Sequence, residues 1–252
     1  ADVNNNSDTY VSWNWKAGGS ASNNTDGSLT VSLSANQDAG FSIATFTSSG
    51  SGVDTLGHGL GAAPSMIIIK STSNSSTNWS IYHKSIGNNK EILFNAGAAS
   101  TNTMWNNTTP TSTLWNLKTG NFGTNRGGVA YCFADVQGYS KVSGSYVGNG
   151  NADGTFVYTG FKPAFVMTKR SDGESDWYMS DNKRNGFNDD NHVFYANEAD
   201  AEKTVNRIDI LSNGFKLRST GSGVNASGGN YIFMCFAENP FTTSTGVPAT
   251  AR

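Results

Sequence analysis

The run Gly61-Ala62-Ala63-Pro64-Ser65-Met66-Ile67-Ile68-Ile69-Lys70 is echoed by Gly160-Phe161-Lys162-Pro163-Ala164-Phe165-Val166-Met167-Thr168-Lys169, with Pro64 and Pro163 99 positions apart. Upstream of these runs, Gly40-Phe41-Ser42 matches Gly138-Tyr139-Ser140. Downstream, Trp79 and Lys84 match Trp177 and Lys183, each interval holding a tyrosine (Tyr82, Tyr178), and Ile92-Leu93-Phe94 matches Val193-Phe194-Tyr195. Each unit closes on Cys132-Phe133-Ala134-Asp135 or Cys235-Phe236-Ala237-Glu238. The order is kept and the offset drifts only from 98 to 103, as short loop insertions would make it. Internal self-similarity of this kind constrains the fold more than any single motif, because both copies must bury the same pattern of side chains. It divides the chain into a linker and strand (18–39), a first unit (40–137), a second unit (138–241) and a C-terminal tail (242–252).

The start of the chain acquires a meaning from the same comparison. Val3-Asn4 through Tyr10-Val11-Ser12-Trp13-Asn14-Trp15 reads like Val224-Asn225 through Tyr231-Ile232-Phe233-Met234-Cys235-Phe236, at a constant offset of 221. Residues 1–17 are expected to be the closing strand of a preceding repeat, although strands rich in tyrosine and tryptophan also resemble one another without common ancestry. Ala1 is not an initiator methionine and no signal-peptide pattern follows it, so the reading is of a processed end or a fragment boundary.

The units read as strands. Ser28-Leu29-Thr30-Val31-Ser32-Leu33-Ser34 alternates at period 2, as a half-buried strand does. Met66 to Ile69 and Phe165 to Thr168 are short, mostly apolar runs after a proline, which suits strands buried on both faces. Asp153-Gly154, Asn213-Gly214 and Gly148-Asn149-Gly150-Asn151 supply turn chemistry between runs. Only Asn197-Glu198-Ala199-Asp200-Ala201-Glu202 has helical composition, with Asn197 as a cap. The expected fold is all-β: tandem duplicated antiparallel β-sandwich units of jelly-roll or lectin-like type. Composition agrees, with 14% charged residues, 12% aromatic and 29 glycines among 252 residues, a mixture that disfavours long helices. A net charge of −2 offers no polybasic footprint for nucleic acid. No apolar run approaches the ~18–20 residues of a membrane-spanning helix.

Candidate chemistry is sparse. His58, His83 and His192 lack partners at metal-ligand spacing and read as surface or strand-end residues. Asp153, in a Gly-Asn-Ala-Asp-Gly turn, and Asp189 with Asp190 are oxygen-rich and are the weak calcium candidates. Of the carboxylates suited to glycoside hydrolysis, Asp176, Asp181, Glu198 and Glu238, only Glu238 repeats, as Asp135; that recurrence at a strand exit favours capping or a contact between repeats over catalysis. Cys132 and Cys235 occupy equivalent strand positions beside aromatics and read as buried small hydrophobes. Trp79 and Trp177 are expected in the core. Trp13, Trp15, Trp105, Trp115 and Tyr178 are less constrained, and Trp105, Trp115 and Tyr178 are the candidates for stacking on sugar rings. No catalytic residue, cofactor site or enzyme activity is expected.

Beyond its residues, the chain resembles a family of uncharacterised proteins of marine tailed bacteriophages, cyanophages among them. The resemblance rests on Gly59-Leu60-Gly61-Ala62-Ala63-Pro64-Ser65-Met66-Ile67-Ile68-Ile69-Lys70, Trp105-Asn106-Asn107-Thr108-Thr109-Pro110-Thr111-Ser112-Thr113, Val129-Ala130-Tyr131-Cys132-Phe133-Ala134 and Leu211-Ser212-Asn213-Gly214-Phe215-Lys216-Leu217-Arg218, and spans nearly all of residues 8–252. It implies a virion structural component, in a tail fibre or other appendage, with other virion proteins as partners, a host-surface glycan or protein as a target of exposed loops, and trimeric assembly as in other fibres. The rival expectation is a purely architectural decoration or spacer; a polysaccharide-degrading enzyme is third.

Overall fold

A computed structural model of the protein describes residues 5–184, 188 and 192–239. The first half contains β1 (Ser22–Asn24), β2 (Val31–Asn36), β3 (Phe41–Thr47), β4 (Val53–Gly57), β5 (Met66–Ser71), β6 (Ser80–His83), β7 (Lys90–Leu93), β8 (Ser100–Thr101), β9 (Leu114–Lys118), a one-turn helix α1 (Thr119–Phe122) and β10 (Gly127–Phe133). The second contains β11 (Ser140–Val147), β12 (Phe156–Tyr158), β13 (Pro163–Arg170), β14 (Trp177–Asp181), β15 (His192–Tyr195), β16 (Lys203–Thr204), β17 (Ile208–Leu211), β18 (Gly214–Leu217), a one-turn helix α2 (Ser222–Asn225) and β19 (Asn230–Ala237). Every ladder is antiparallel. The large sheet of the first half runs β1-β2-β3-β10-β5-β6-β7-β8 and that of the second β11-β19-β13-β14-β15-β16; smaller sheets are β4-β9 and β12-β18-β17. From β3 and β11 onward the two large sheets follow one strand order.

Period-2 alternation explains how these sheets stack. On the first large sheet Ala44, Phe46, Ile67, Ile69, Tyr82, Ala130 and Cys132 point to one side, into a core closed by Leu56 of β4, Trp115 and Leu117 of β9, and Phe122 of α1. On the second, Tyr146, Val166, Tyr178, Val193, Tyr231, Phe233 and Cys235 do the same against Val157, Ile208, Ile210, Phe215 and Leu217 of the three-stranded sheet. The alternate residues are also apolar: Phe41, Met66, Ile68, Ile81, Ile92 and Phe133 from one large sheet meet Val142, Phe165, Met167, Trp177, Ile232, Met234 and Phe236 from the other. Each half is thus a sandwich of a large and a small sheet, and the two large sheets pack face to face, giving four layers. Strands with apolar residues on both faces require cover on both, and this arrangement provides it. Each large side chain so buried contributes about 1.5–3 kcal/mol.

The join between the halves is also polar at its edges. The Lys169 ammonium, fully buried, donates to the Ala96 carbonyl of the first half at 3.2 Å and to the Ser175 carbonyl of its own. Burial holds its pKa down at about 8, against the opposing pull of Asp176 and Glu174. The Ala99 and Ser175 amides cross the same boundary to Ser171 and Ala96 carbonyls at 2.9 and 2.8 Å. Trp177 sends its indole N–H to the Leu93 carbonyl at 2.8 Å.

Several expectations are revised. The segment 8–18 forms no strand. Instead it is held by side chains along the join, where Trp15 packs edge-on to Phe133, Phe165 and Phe236, and Trp13 against Phe165 and Phe194. The Trp13 N–H donates to Asp181 at 3.3 Å, and Arg184, ion-paired to Asp181 at 2.7 Å, stands 5.6 Å from the Trp13 ring centre. Within 18–39, β2 lies where the alternation at Ser28–Ser34 placed a strand, while the stretch read as linker contributes β1 to the same sheet. Asn197 starts no helix; its side-chain oxygen accepts the Trp177 amide at 2.7 Å and its amide group donates to Asp176 at 2.9 Å. Trp79 is not core: it is 37% exposed, while Trp177 is 2% exposed.

Candidate functional site

The site with the strongest chemical signature lies in the first half, between the inner ends of β5, β6 and β7 and the helix α1. It is a cavity of about 260 Å³ lined by Ile69, Ser76, Thr77, Asn78, Ser80, Glu91, Leu93, Asn102, Met104, Asn121 and Phe122. Glu91 is its centre. On β7 the residues alternate, Ile92 turning to the join between the halves, so Glu91 is forced toward the opposite core and is only 8% exposed. Its Oε1 accepts the Asn102 amide at 2.6 Å, whereas its Oε2 is buried without a hydrogen-bond partner. Burial raises the Glu91 pKa above the ordinary carboxylate value, opposed by the Ser80 and Asn102 side chains. A buried carboxylate oxygen left without a donor costs about 1–3 kcal/mol or more, so its presence here needs a reason.

The surroundings hold Glu91 in place. Asn102 Oδ1 accepts both the Met104 backbone N–H at 2.8 Å and the Asn121 amide at 2.6 Å, which fixes the flip of its side chain and turns its NH₂ to Glu91. Thr103 donates to Asn121 at 3.4 Å at the rim. The wall formed by residues 76–78 is tethered through Lys70, whose ammonium donates to the carbonyls of Ser75, at 3.1 Å, and Thr77. Thr77 Oγ1 returns to the Asn74 carbonyl at 3.0 Å. The floor, Ile69, Met104 and Phe122, is apolar.

The second half has the same ladder with larger side chains at the matching positions. Ile68 pairs Ile81 as Met167 pairs Met179, and Ile81 pairs Ile92 as Met179 pairs Phe194. By this register Glu91 corresponds to Val193, Ser80 to Tyr178 and Leu93 to Tyr195, one position away from the match of Ile92-Leu93-Phe94 to Val193-Phe194-Tyr195 read from sequence. The outer ladder agrees: Glu91 pairs Ser100 where Val193 pairs Lys203, so Asn102 corresponds to Val205. In the second half the Tyr178 and Tyr195 rings meet edge to face at 5.1 Å and fill the space. Tyr178 reaches α2 so closely that a Cβ on Gly223 would stand 2.1 Å from its hydroxyl, while a Cβ on Gly120, the equivalent residue of α1, would touch nothing within 4 Å.

A second cleft, of about 380 Å³, opens where the large sheets part, beside Trp79, Phe94, Tyr131 and Trp15. Trp79 leans on Tyr131 and Phe94, with ring centres 6.2 and 6.4 Å apart, and Phe94 stacks onward against Trp177 at 4.8 Å.

The residues singled out by sequence fare differently. Trp105 and Trp115, each 2% exposed, pack against one another at 6.1 Å inside the first core and leave no ring face for a sugar. Tyr178 is likewise buried, under Tyr195 and an Arg207 guanidinium 5.4 Å from its ring centre. The three are therefore withdrawn as stacking platforms; their large apolar area was spent on closing cores. The Asp153 carboxylate is ion-paired to Lys216 at 2.7 Å and to Arg218 at 3.3 Å, which holds its pKa down. Asp189 and Asp190 lie outside the described residues.

His58 and His83 stand at strand ends as expected but not at the surface. Both are buried, and burial lowers both pKa values, that of His83 to about 4. His58 Nδ1 accepts the Leu60 amide and its Nε2 donates to the Thr111 carbonyl, both at 3.2 Å, the pattern of a neutral ring. Cys132 and Cys235 are free and buried on equivalent faces; burial pushes the Cys132 thiol up to about 12 and the Cys235 thiol higher. Asp135 caps the bulge of β11, accepting the Val142 and Ser143 amides at 2.7 and 3.0 Å, and Glu238 pairs with Lys162 at 2.7 Å and Lys183 at 3.2 Å. Among the described residues no group of three or more His, Cys, Asp or Glu side chains forms a metal cluster, and no helix is long and apolar enough to cross a membrane.

Glu91 escaped the sequence reading because the one-residue slip set it opposite His192. Aligned by register, a glutamate at a site held by a core valine would have been the signal. No curated protein and no solved structure matches the chain. A family profile matches residues 1–240, and by it the chain belongs to the family of the domain of unknown function DUF7483.

Proposed function

We infer that the protein is a recognition module of a virion appendage, a tail fibre or similar structure, that presents polar loops to the surface of a host bacterium. The observation that carries this reading is the Glu91 cavity: a half-satisfied carboxylate retained at a position where the equivalent strand of the same chain places valine. A unit whose task is only to fill space gains nothing from such a residue, whereas a ligand site does, because binding groups are kept at a cost in stability. The layered sheets supply the rigid support that precise binding loops need. The sequence resemblance to tailed-phage proteins supplies the setting, with other virion proteins as neighbours and a surface glycan or protein as target.

Adsorption of the isolated protein to marine bacterial cells, cyanobacteria included, tests this reading, together with a glycan array. Retention by cells or glycans is expected. If neither retains the protein while virions lacking it fail to assemble, the module is an architectural spacer. If incubation with host polysaccharide shortens the chains, it is a depolymerase.

A further inference from the structure

We propose that the open side of the second half, between β11 and β12, is a docking surface for an extended segment of another polypeptide chain. The first half shows what such a surface takes. There residues 28–36 run from the edge of β4 to that of β3. The Leu29 amide donates to the Thr55 carbonyl at 3.2 Å, the Ser28 amide to the Thr55 hydroxyl at 2.7 Å, and the Thr55 amide to the Ser28 hydroxyl at 2.9 Å. The segment then pairs with β3 as β2, burying Val31 and Leu33 in the first core. At its end Leu33 and Ala35 press on Gly59, where a Cβ would stand 2.7 and 3.1 Å from their side chains, and Gln37 donates to the Gly59 carbonyl at 2.9 Å. The Gly40 amide closes the turn on the Gln37 carbonyl at 3.1 Å.

The second half has no such segment ahead of β11. Only Val136 and Gln137 separate Asp135, the end of the first closing run, from Gly138, the match of Gly40. By register Leu56 faces Trp115 as Val157 faces Phe215, so Thr55 and Gly57 correspond to Phe156 and Tyr158. Gly57 is buried beneath Asn24, whereas Phe156 is 44% and Tyr158 60% exposed. The Leu217 amide donates to the Thr155 carbonyl at 3.0 Å, which turns Thr155 and Val157 toward β18 and the main-chain groups of Phe156 and Tyr158 outward. Among the described residues none bonds to those groups. Beside them a cavity of about 430 Å³ lies between Gly138 and Gly160, the matches of Gly40 and Gly61. Gln37 stands between the corresponding glycines of the first half.

Outward N–H and C=O groups at strand spacing match a polypeptide backbone, and a cavity beside them selects its side chains. On β11 the Val142 and Ser143 amides are already taken by Asp135, so the incoming ladder falls on β12. A second copy of the chain is not the donor, because its matching segment is committed to its own first half. The donor is a different polypeptide, extended, with apolar residues alternating with small polar ones as in Val31-Ser32-Leu33-Ser34-Ala35.

The test is titration of the intact protein with a fluorescent synthetic peptide copying residues 28–37, read by anisotropy, with light scattering for assembly and thermal melting for fold. One peptide is expected to bind per chain. Gln137→Trp, at an exposed turn position on the cavity wall, should weaken binding about tenfold or more. Phe156→Pro should do the same, because it removes an outward N–H that the sheet itself does not use. A peptide carrying Leu29→Pro lacks the amide that Thr55 accepts and should also bind about tenfold more weakly; it decides alone if neither protein variant folds. Absence of binding, or affinity unchanged by these substitutions, would overturn the proposal. Two further outcomes would also overturn it. Binding seen only after removal of residues 240–252 would assign the surface to the chain's own end, and dimerisation lost in Gln137→Trp would assign it to a second copy.

Discussion

The two halves of the molecule share a ladder and differ in what hangs from it. Ser80, Glu91, Leu93 and Asn102 of the first half stand where Tyr178, Val193, Tyr195 and Val205 stand in the second. The second half spends these positions on packing. The first half places a small hydroxyl, an acid and an amide there, and a cavity results. The same contrast recurs at the tryptophans: Trp177 is covered by Phe94 and bonded to Leu93 across the join, whereas Trp79 stands at an open cleft. The backbone of a sheet tolerates either choice; side-chain volume and polarity decide whether it makes a core or a pocket.

The largest expected effect tests the tryptophan contrast. Trp177→Ala removes a buried aromatic and its cross-join hydrogen bond, and should cost about 3–5 kcal/mol in denaturant unfolding. A loss no greater than that of Trp79→Ala would show that the face-to-face packing of the large sheets is wrong.

Acid sensitivity comes next, and it too differs between the halves. His83 corresponds by register to Asp181. The folded state holds His83 neutral, with its pKa lowered from 6.5 to about 4 by burial, so the unfolded chain binds the extra proton first. Stability is therefore fully present above pH 6.5 and falls as pH drops toward about 4, by up to about 3 kcal/mol. Asp181, its pKa lowered by Arg184 and two backbone N–H groups despite burial, loses its contribution only below its unfolded value of 3.8. Urea unfolding across pH should show the His83 loss first, and His83→Gln should flatten the curve between pH 6.5 and 4. A curve that keeps its slope in that variant assigns the loss elsewhere.

A smaller effect of opposite sign is expected from copying the second half into the pocket. The variant Glu91→Val should raise stability by about 1–2 kcal/mol, since a buried carboxylate with one oxygen unpartnered gives way to apolar contact. Because the folded pKa of Glu91 is raised, the folded state holds the proton more tightly, and the native penalty grows as pH rises above 4.5. The melting difference between variant and parent should thus be greater at pH 8 than at pH 4. A variant that melts lower at both would mean that Glu91, through its bond to Asn102, supports the core. Smallest of all, Trp79→Ala should change stability by less than about 1 kcal/mol, because more than a third of the residue already faces solvent.

Much of the local structure was legible in the chain. The alternation at Val31–Leu33, the apolar runs at Met66–Ile69 and Phe165–Thr168, and the matched closing strands at Cys132 and Cys235 all appear as strands in the expected order. Asp135 accepts backbone N–H groups of β11, whereas Glu238 at the matching strand exit is ion-paired to Lys162 and Lys183. The site was not legible, for a specific reason. A slip of one residue exchanges the faces of a strand, and matching Ile92 to Val193 compared a residue of the join with a residue of the core. Trp105, offered as a sugar platform, lies in a turn, and Trp115 faces Leu56 on β9 as Phe215 faces Val157 on β18; matched to Phe215, it would have read as core.

The sequence by itself determined that the chain would be all-β, with strands apolar on both faces and paired closing strands, because period and turn chemistry act over a few residues. The tertiary structure alone decided that the two large sheets would serve as cover for each other, that the Trp13–Trp15 segment would wedge along their edge, and that one of two matched tryptophans would be buried and the other left at a cleft. Burial belongs to a pair of surfaces and to the offset between them, and no single strand carries that offset in its own residues.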